Sequence, residues 1–354
     1  MHIAFLTPEF PHPKISHSAG IGTSIKNLAV ELLKNKHKVT VFVYSEDTNE
    51  IFQDHGITIH KIAHKKYKIL SWYFYRKQLQ NYINTFISKD QIDIIEAPDW
   101  TGITAFMKFK CKFLIRLHGT DAYFCQLEGR KQKLKNYFFE KIALKSVDAI
   151  ISVSKFTAQE TIKLFNLSKP IKVIYNGIDI HSFSTSNEKV AANSILYFGS
   201  IIRKKGILEL AEIFNEVVEN NPRAKLTLLG KDVIDVFSKI STLQLFNNTL
   251  TTEAKKNTKH ISHVPYNEVQ AYIAEASVIV LPSYAEAFPM TWLEAMAMGK
   301  ALVTSNIGWA TELMIDGKTG FIENPNNHHL YADKISELLE NKELNTTFGE
   351  NAKQ

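Results

Sequence analysis

Only two cysteines, Cys111 and Cys125, occur in the 354 residues. They have neither metal-ligand spacing nor a partner cluster, which excludes a disulfide scaffold and a cysteine-built zinc centre. No stretch reaches the roughly 18–20 apolar residues that a membrane-spanning helix needs. The opening MHIAFLTPEF reads as a strand almost from the first residue and lacks the basic and long apolar segments of a secretory signal. A soluble cytosolic protein is expected. No recognition module accompanies the basic residues, so no nucleic-acid partner is expected.

What is present is ample apolar material, 45% of the residues, enough for a core in each of two ordinary domains. The net charge of +6 is uneven: residues 1–180 carry +10 and residues 181–354 carry −4. Part of the excess lies in HKIAHKKYKILSWYFYRK, where Lys61, Lys65, Lys66, Lys68, Arg76 and Lys77 bracket Trp72, Tyr73, Phe74 and Tyr75. Cations interleaved with aromatics suit an anionic membrane surface, and equally a solvated helix face over core aromatics. GRKQKLKNYFFEKIALK, an amphipathic helix in prospect, has the same two readings.

Strands and helices alternate along the whole chain. Strands are expected at 3–7, Lys38 to Val43, Ile92 to Glu96, Phe113 to Leu117, Ala149 to Val153 and Lys172 to Tyr175, then at Ile195 to Phe198 and Lys225 to Gly230. One helix is expected to run through Lys145 and another from Ile207 to Asn220; residues 231–257 show no clear pattern. Such alternation predicts two doubly wound parallel sheets. The boundary is expected in polar HSFSTSNEKVAANS, giving domains 1–185 and 186–354. Gly20 and Gly22 lack the third glycine of a dinucleotide fingerprint and follow too long a loop. They read as a helix-start turn needing positive φ. EAPDWTG places Glu96, Asp99 and Trp100 at a strand's carboxyl end, and His118 and Asp121 follow the next strand. Loops at such ends line ligand crevices.

The most informative stretch runs from Val278 to Pro325. An apolar strand, Val278 to Leu281, leads through a loop carrying Glu286 to a helix from Pro289 to Met298, then to a strand from Ala301 to Thr304. Proline suits a first helical position, and Gly299 suits the stop. The amides of Met290 and Thr291 are then free at a helix N-terminus beyond a strand end, a place for phosphate. Glu294 lies roughly 7–8 Å further along the axis, within reach of vicinal ribose hydroxyls on a bound nucleotide, while Glu286 meets what hangs from the far phosphate. The pattern describes a nucleotide-sugar.

EAFPMTWLEAMAMGKALVTS, followed by Glu312 and DGKTGFI, resembles the donor-site signature of retaining glycosyltransferases of family 4, glycosyl transferases group 1. The resemblance extends over nearly the whole chain. It implies the GT-B fold, two Rossmann-like domains facing across a cleft, with the acceptor side in the first and the donor site in the second. It implies sugar transfer from a nucleoside diphosphate to an acceptor hydroxyl with retention, in cell-surface polysaccharide or glycolipid synthesis. The partners implied are a nucleotide-sugar donor and a saccharide or lipid-linked acceptor, at the inner membrane face. No cofactor is implied, and no Asp-x-Asp motif is present to hold a metal.

Residue by residue, the resemblance implies catalytic roles for His118, Lys205 and Glu286. It implies donor binding by Gly20, Gly22, Lys205, Phe288, Pro289, Met290, Thr291 and Glu294. Glu96, Asp99, Trp100 and Asp121 fall on the acceptor side. The family pairs Lys205 with an arginine five positions earlier, where this chain has Ser200, and Arg203 or Lys204 is the candidate replacement. A carboxy-terminal helix crossing back onto the first domain is expected after Lys353 and is missing. Alternative readings are a non-catalytic nucleotide-sugar-binding subunit and a nucleotide-sugar epimerase on the same fold.

Overall fold

The computed structural model describes residues 1–180, 183 and 190–354. Contacts divide it into two units, Met1–Gly177 and Ile178–Gln354. The boundary expected between residues 185 and 186 lies outside the described residues.

The first unit contains β1 (His2–Thr7), α1 (Gly20–Lys34), β2 (Lys38–Glu46), β3 (Glu50–Asp54), β4 (Ile57–Ala63), α2 (Ser71–Asp90), β5 (Ile94–Pro98), β6 (Lys112–Leu117), α3 (Asp121–Leu127), α4 (Leu134–Ser146), β7 (Ala149–Ser152), α5 (Lys155–Phe165) and β8 (Ile171–Val173). Its sheet order is β3-β4-β2-β1-β5-β6-β7-β8, parallel except for the β3–β4 pair. That hairpin is absent from the sequence reading. Its turn, His55-Gly56, has positive φ at both residues, as a tight two-residue hairpin requires. β3 alternates partly buried with exposed residues at the sheet edge, so it has no continuous apolar run to betray it.

The second unit contains β9 (Ser194–Phe198), α6 (Ile207–Asn220), β10 (Lys225–Leu229), α7 (Thr242–Thr249), α8 (Thr252–Lys256), β11 (Thr258–Ile261), α9 (Val269–Glu275), β12 (Val278–Leu281), α10 (Met290–Ala297), β13 (Leu302–Ser305), β14 (Phe321–Glu323), α11 (His328–Glu340) and α12 (Lys342–Lys353). Its sheet is parallel throughout, in the order β11-β10-β9-β12-β13-β14. β12 is buried along its whole length, as a central parallel strand should be. α6 buries Ile207, Leu210, Ala211, Phe214, Val217 and Val218, an amphipathic stripe facing the sheet. The patternless region 231–257 holds α7 and α8. Ser241 and Thr251 cap them by accepting from Gln244 and Ala254 amides, so short capped turns replace long periodicity.

Both sheets are doubly wound, and each has a point where the strand order reverses. In the first unit β1 has β2 on one side and β5 on the other; in the second, β9 lies between β10 and β12. Ligands of open α/β sheets bind outside the strand ends at such a reversal. The loops after β9 and β12 therefore border the ligand position of the second sheet.

Candidate active site

The loop after β9 runs from Gly199 to Gly206 and is pressed onto the loop after β12. The Tyr284 and Ala285 amides both donate to the Lys204 carbonyl, at 2.9 and 3.2 Å. Gly206 takes φ +69°, and a Cβ there would lie 1.9 Å from the Pro282 carbonyl oxygen. Only glycine permits that approach. The result brings Lys205 to Glu286, Nζ to Oε1, at 3.0 Å. Ser283 Oγ donates to the same Glu286 oxygen at 3.3 Å. A cation and a carboxylate are thus paired at the mouth of α10.

α10 follows directly. Pro289 has an extended ψ of 120° and is the N-cap, so the helix begins at Met290, one residue later than the proline rule suggests. Pro289 itself makes no side-chain capping hydrogen bond to the first turn. Phe288, Met290 and Trp292 are buried beneath it, and Thr291 is half-buried. One turn further, Glu294 is 4% exposed and accepts from the Tyr266 hydroxyl at 2.7 Å. Tyr266 is a contact that sequence reasoning missed. It lies 28 positions away on the turn before α9, and nothing in its own neighbourhood marks it.

Burial pushes the Glu294 carboxyl up to about 7, while the Tyr266 hydrogen bond and the nearby Lys205 charge pull it down. The folded state therefore keeps this proton above the ordinary glutamate value of 4.5. The stability that goes with it is complete below that value and is lost as pH rises through about 7. The loss is on the order of 3 kcal/mol. Glu294→Gln keeps the acceptor for Tyr266 and removes the titration. Its melting temperature is expected to fall less than the wild type's between about pH 5 and about pH 8, which parallel thermal melts check.

Arg203, the candidate replacement for the cation missing at Ser200, is paired within the second unit. It is bidentate to Asp235, at 2.7 and 2.9 Å, with Ser238 donating to the same carboxylate. Asp235 is accordingly held well below the usual carboxylate range, chiefly by the Arg203 hydrogen bond. That partner lies 32 positions away, and only the folded loop reveals it. Ser200 itself is exposed.

In the first unit, β6 carries His118 at its tip. Its amide and that of Gly119 donate to the two oxygens of Asp99, at 2.9 and 3.1 Å. Burial and the neighbouring Arg116 charge push the imidazole down to about 3, so the ring is neutral. The carboxylates expected on the acceptor side are committed to the protein itself. Glu96 pairs with Arg116 at 2.6 and 3.1 Å, Asp99 clamps the His118 turn, and Asp121 accepts from Arg130 and Asn136. Trp100 is half-buried edge-on to Phe124. Glu140, unmarked in the sequence, accepts from the Thr101, Asp121 and Ala122 amides and fixes the loops on either side of His118.

Gly20 and Gly22 have no positive φ; α1 begins at Gly20 itself. The requirement at Gly22 is instead close approach, since a Cβ would lie 2.9 Å from the Glu9 carbonyl oxygen. The Gly22 amide donates to the Glu9 carboxylate at 2.8 Å. No group of three or more His, Cys, Asp or Glu residues suited to a metal ion occurs among the described residues. Among the same residues, no helix is long and apolar enough to cross a membrane.

Each unit is Rossmann-like, and the second places a paired lysine and glutamate and a buried glutamate about one short helix at its strand reversal. Residues 181–354 match the family model Glycosyl transferases group 1, and residues 18–182 match Glycosyltransferase Family 4. The chain belongs to this glycosyltransferase family and has the GT-B fold. An uncharacterized glycosyltransferase of Methanocaldococcus jannaschii is 28% identical over 99% of this chain and 92% of its own length. The capsular polysaccharide biosynthesis glycosyltransferase CapM of Staphylococcus aureus is 24% identical over 96% of this chain and 91% of its own. Among solved structures, sucrose-phosphate synthase from Thermosynechococcus elongatus superposes with a TM-score of 0.80 at 18% identity, covering 99% of this chain and 93% of that one. Anabaena HepE in complex with UDP and glucose gives 0.76 at 19% identity, over 100% and 94%.

Proposed function

We propose that this glycosyltransferase moves a sugar from a nucleoside diphosphate to an acceptor hydroxyl with retention and without a metal, in cell-surface polysaccharide or glycolipid synthesis. One observation carries the reading: Lys205 and Glu286 are paired just before α10, and the buried Glu294 lies within it, at the strand reversal of the second sheet. The CapM name and the UDP and glucose held by HepE support the donor class and the setting.

In this reading the α10 amides and Lys205 hold the diphosphate, a task for which helix N-termini and lysines are suited. The ionised Glu294 exchanges its Tyr266 partner for ribose hydroxyls. Glu286 takes hydrogen bonds from the sugar. The bond from the anomeric carbon to the phosphate oxygen breaks as the acceptor oxygen bonds on the same face. The acceptor's proton passes to the departing phosphate oxygen. No carboxylate pair flanking the scissile bond is needed, unlike in glycosidases.

Proton NMR of the product, formed in the presence of EDTA, tests both finer points. The account expects the donor's anomeric configuration in the product; an inverted product, or no turnover until a divalent metal is restored, contradicts it. Ser200 and the engagement of Arg203 by Asp235 favour a second reading, a subunit that binds nucleotide-sugar without turnover. Donor binding with no single-turnover transfer or hydrolysis would select it.

A further inference from the structure

The first unit carries a surface that neither its core nor the site above accounts for. The amino-terminal ends of α2 and α4 lie side by side, joined by a continuous run of rings. Tyr67 meets Phe74 at 5.7 Å, Phe74 meets Tyr73 at 5.7 Å, and Tyr73 meets Phe106 at 6.1 Å. Trp72 of α2 then meets Phe139 of α4 at 4.8 Å. On and around this ring layer, five large apolar side chains face solvent: Ile69 is 74% exposed, Leu70 53%, Phe74 44%, Leu134 87% and Phe138 55%. Leu70 caps α2 in a left-handed conformation, φ 47°, that leucine rarely adopts. An exposed leucine held in that way argues against a merely incidental surface residue.

The charge around these side chains is of one sign. Lys65, Lys66 and Lys68 precede α2; Lys131, Lys133 and Lys135 lead into α4; all are exposed. Neither 61–77 nor 129–139 contains an aspartate or glutamate. Glu128, next in line, is paired with Arg130 at 2.6 Å. Lys61 and Arg76 drop out of the cluster. Lys61 pairs with Asp47 at 2.7 Å on β4, and Arg76 is buried over the Phe139 ring.

We propose that the adjoining ends of α2 and α4 dock this protein onto an anionic lipid bilayer. The lysines provide the attraction to lipid phosphates, and Ile69, Leu70, Phe74, Leu134 and Phe138 enter the headgroup layer. An all-cationic rim around apolar tips complements a negatively charged apolar surface, whereas a nucleic acid would leave the aliphatic tips wet. The proposal is independent of the donor-site reading.

Flotation of the full chain with vesicles of phosphatidylcholine, with and without phosphatidylglycerol, tests it. Binding is expected only with the anionic lipid. The triple variant Lys131→Glu, Lys133→Glu, Lys135→Glu should lower partitioning by at least about 100-fold, at roughly fivefold per charge removed. A matched triple variant in the second unit, Lys255→Glu, Lys259→Glu, Lys342→Glu, should leave it unchanged. Leu134→Ser, at a site too exposed to affect folding, should lower the part of the binding that persists in high salt. The proposal is overturned by equal binding to neutral vesicles, by unchanged binding of the patch variants, or by equally tight binding to a duplex DNA fragment. A change of oligomeric state in Leu134→Ser, without loss of vesicle binding, would overturn it too.

Discussion

Glu294→Ala is expected to weaken binding of a nucleoside diphosphate by on the order of 100-fold, from the loss of two charge-assisted hydrogen bonds. The side chain is 4% exposed and meets the Tyr266 hydroxyl at 2.7 Å, so it is already poised as a hydrogen-bond acceptor. A ribose offers two such hydroxyls in place of one. Because burial raises the carboxyl to about 7, the same affinity should climb with pH across neutrality in the wild type as the ionised form takes over. The alanine variant should lose both the affinity and the pH dependence. Isothermal titration at about pH 6 and about pH 8 measures both. Binding of wild-type strength in the variant would remove Glu294 from the donor site.

Lys205→Ala is expected to lower kcat by roughly 100- to 1,000-fold, the usual consequence of removing one preorganised charge from a developing anion. Nucleotide affinity should fall much less, about tenfold, because the α10 amides still meet the diphosphate. The reason for a large effect lies in the neighbouring residues. The family's second cation is replaced by Ser200, and Arg203 is bound to Asp235 at 2.7 and 2.9 Å. Lys205, by contrast, sits 3.0 Å from Glu286 at the helix mouth. Single-turnover transfer kinetics separate the two effects. Equal losses in kcat and in affinity would make Lys205 a simple anchor.

The parts of this site that could be read from the sequence are those whose signals are local. β12 and α6 announce themselves by a run of buried apolar residues and by a stripe at helical spacing. Glu286 and Glu294 stand out because one precedes and the other lies within a short helix with a proline before it and Gly299 after it. What could not be read depends on loops folding back over long separations. Tyr266 to Glu294 spans 28 positions, and Arg203 to Asp235 spans 32. The helix expected from Gly129 to Lys145 is α4, which starts five residues later, at Leu134; before it Arg130 pairs with Glu128 and Asp121, contacts that helical spacing does not reveal. Glu96, Asp99 and Asp121 read as ligand-facing carboxylates because strand ends usually are. Only the fold shows that they hold Arg116, the His118 turn and Arg130.

The most direct test of the account is a thermal-shift panel of UDP, GDP, ADP, dTDP and CMP on the wild type and on Glu294→Ala, each with Mg²⁺ and with EDTA. The account predicts that one diphosphate raises the melting temperature to the same degree in EDTA as in Mg²⁺, and that the rise disappears in the variant. A rise that requires Mg²⁺, or one that survives loss of Glu294, would contradict it.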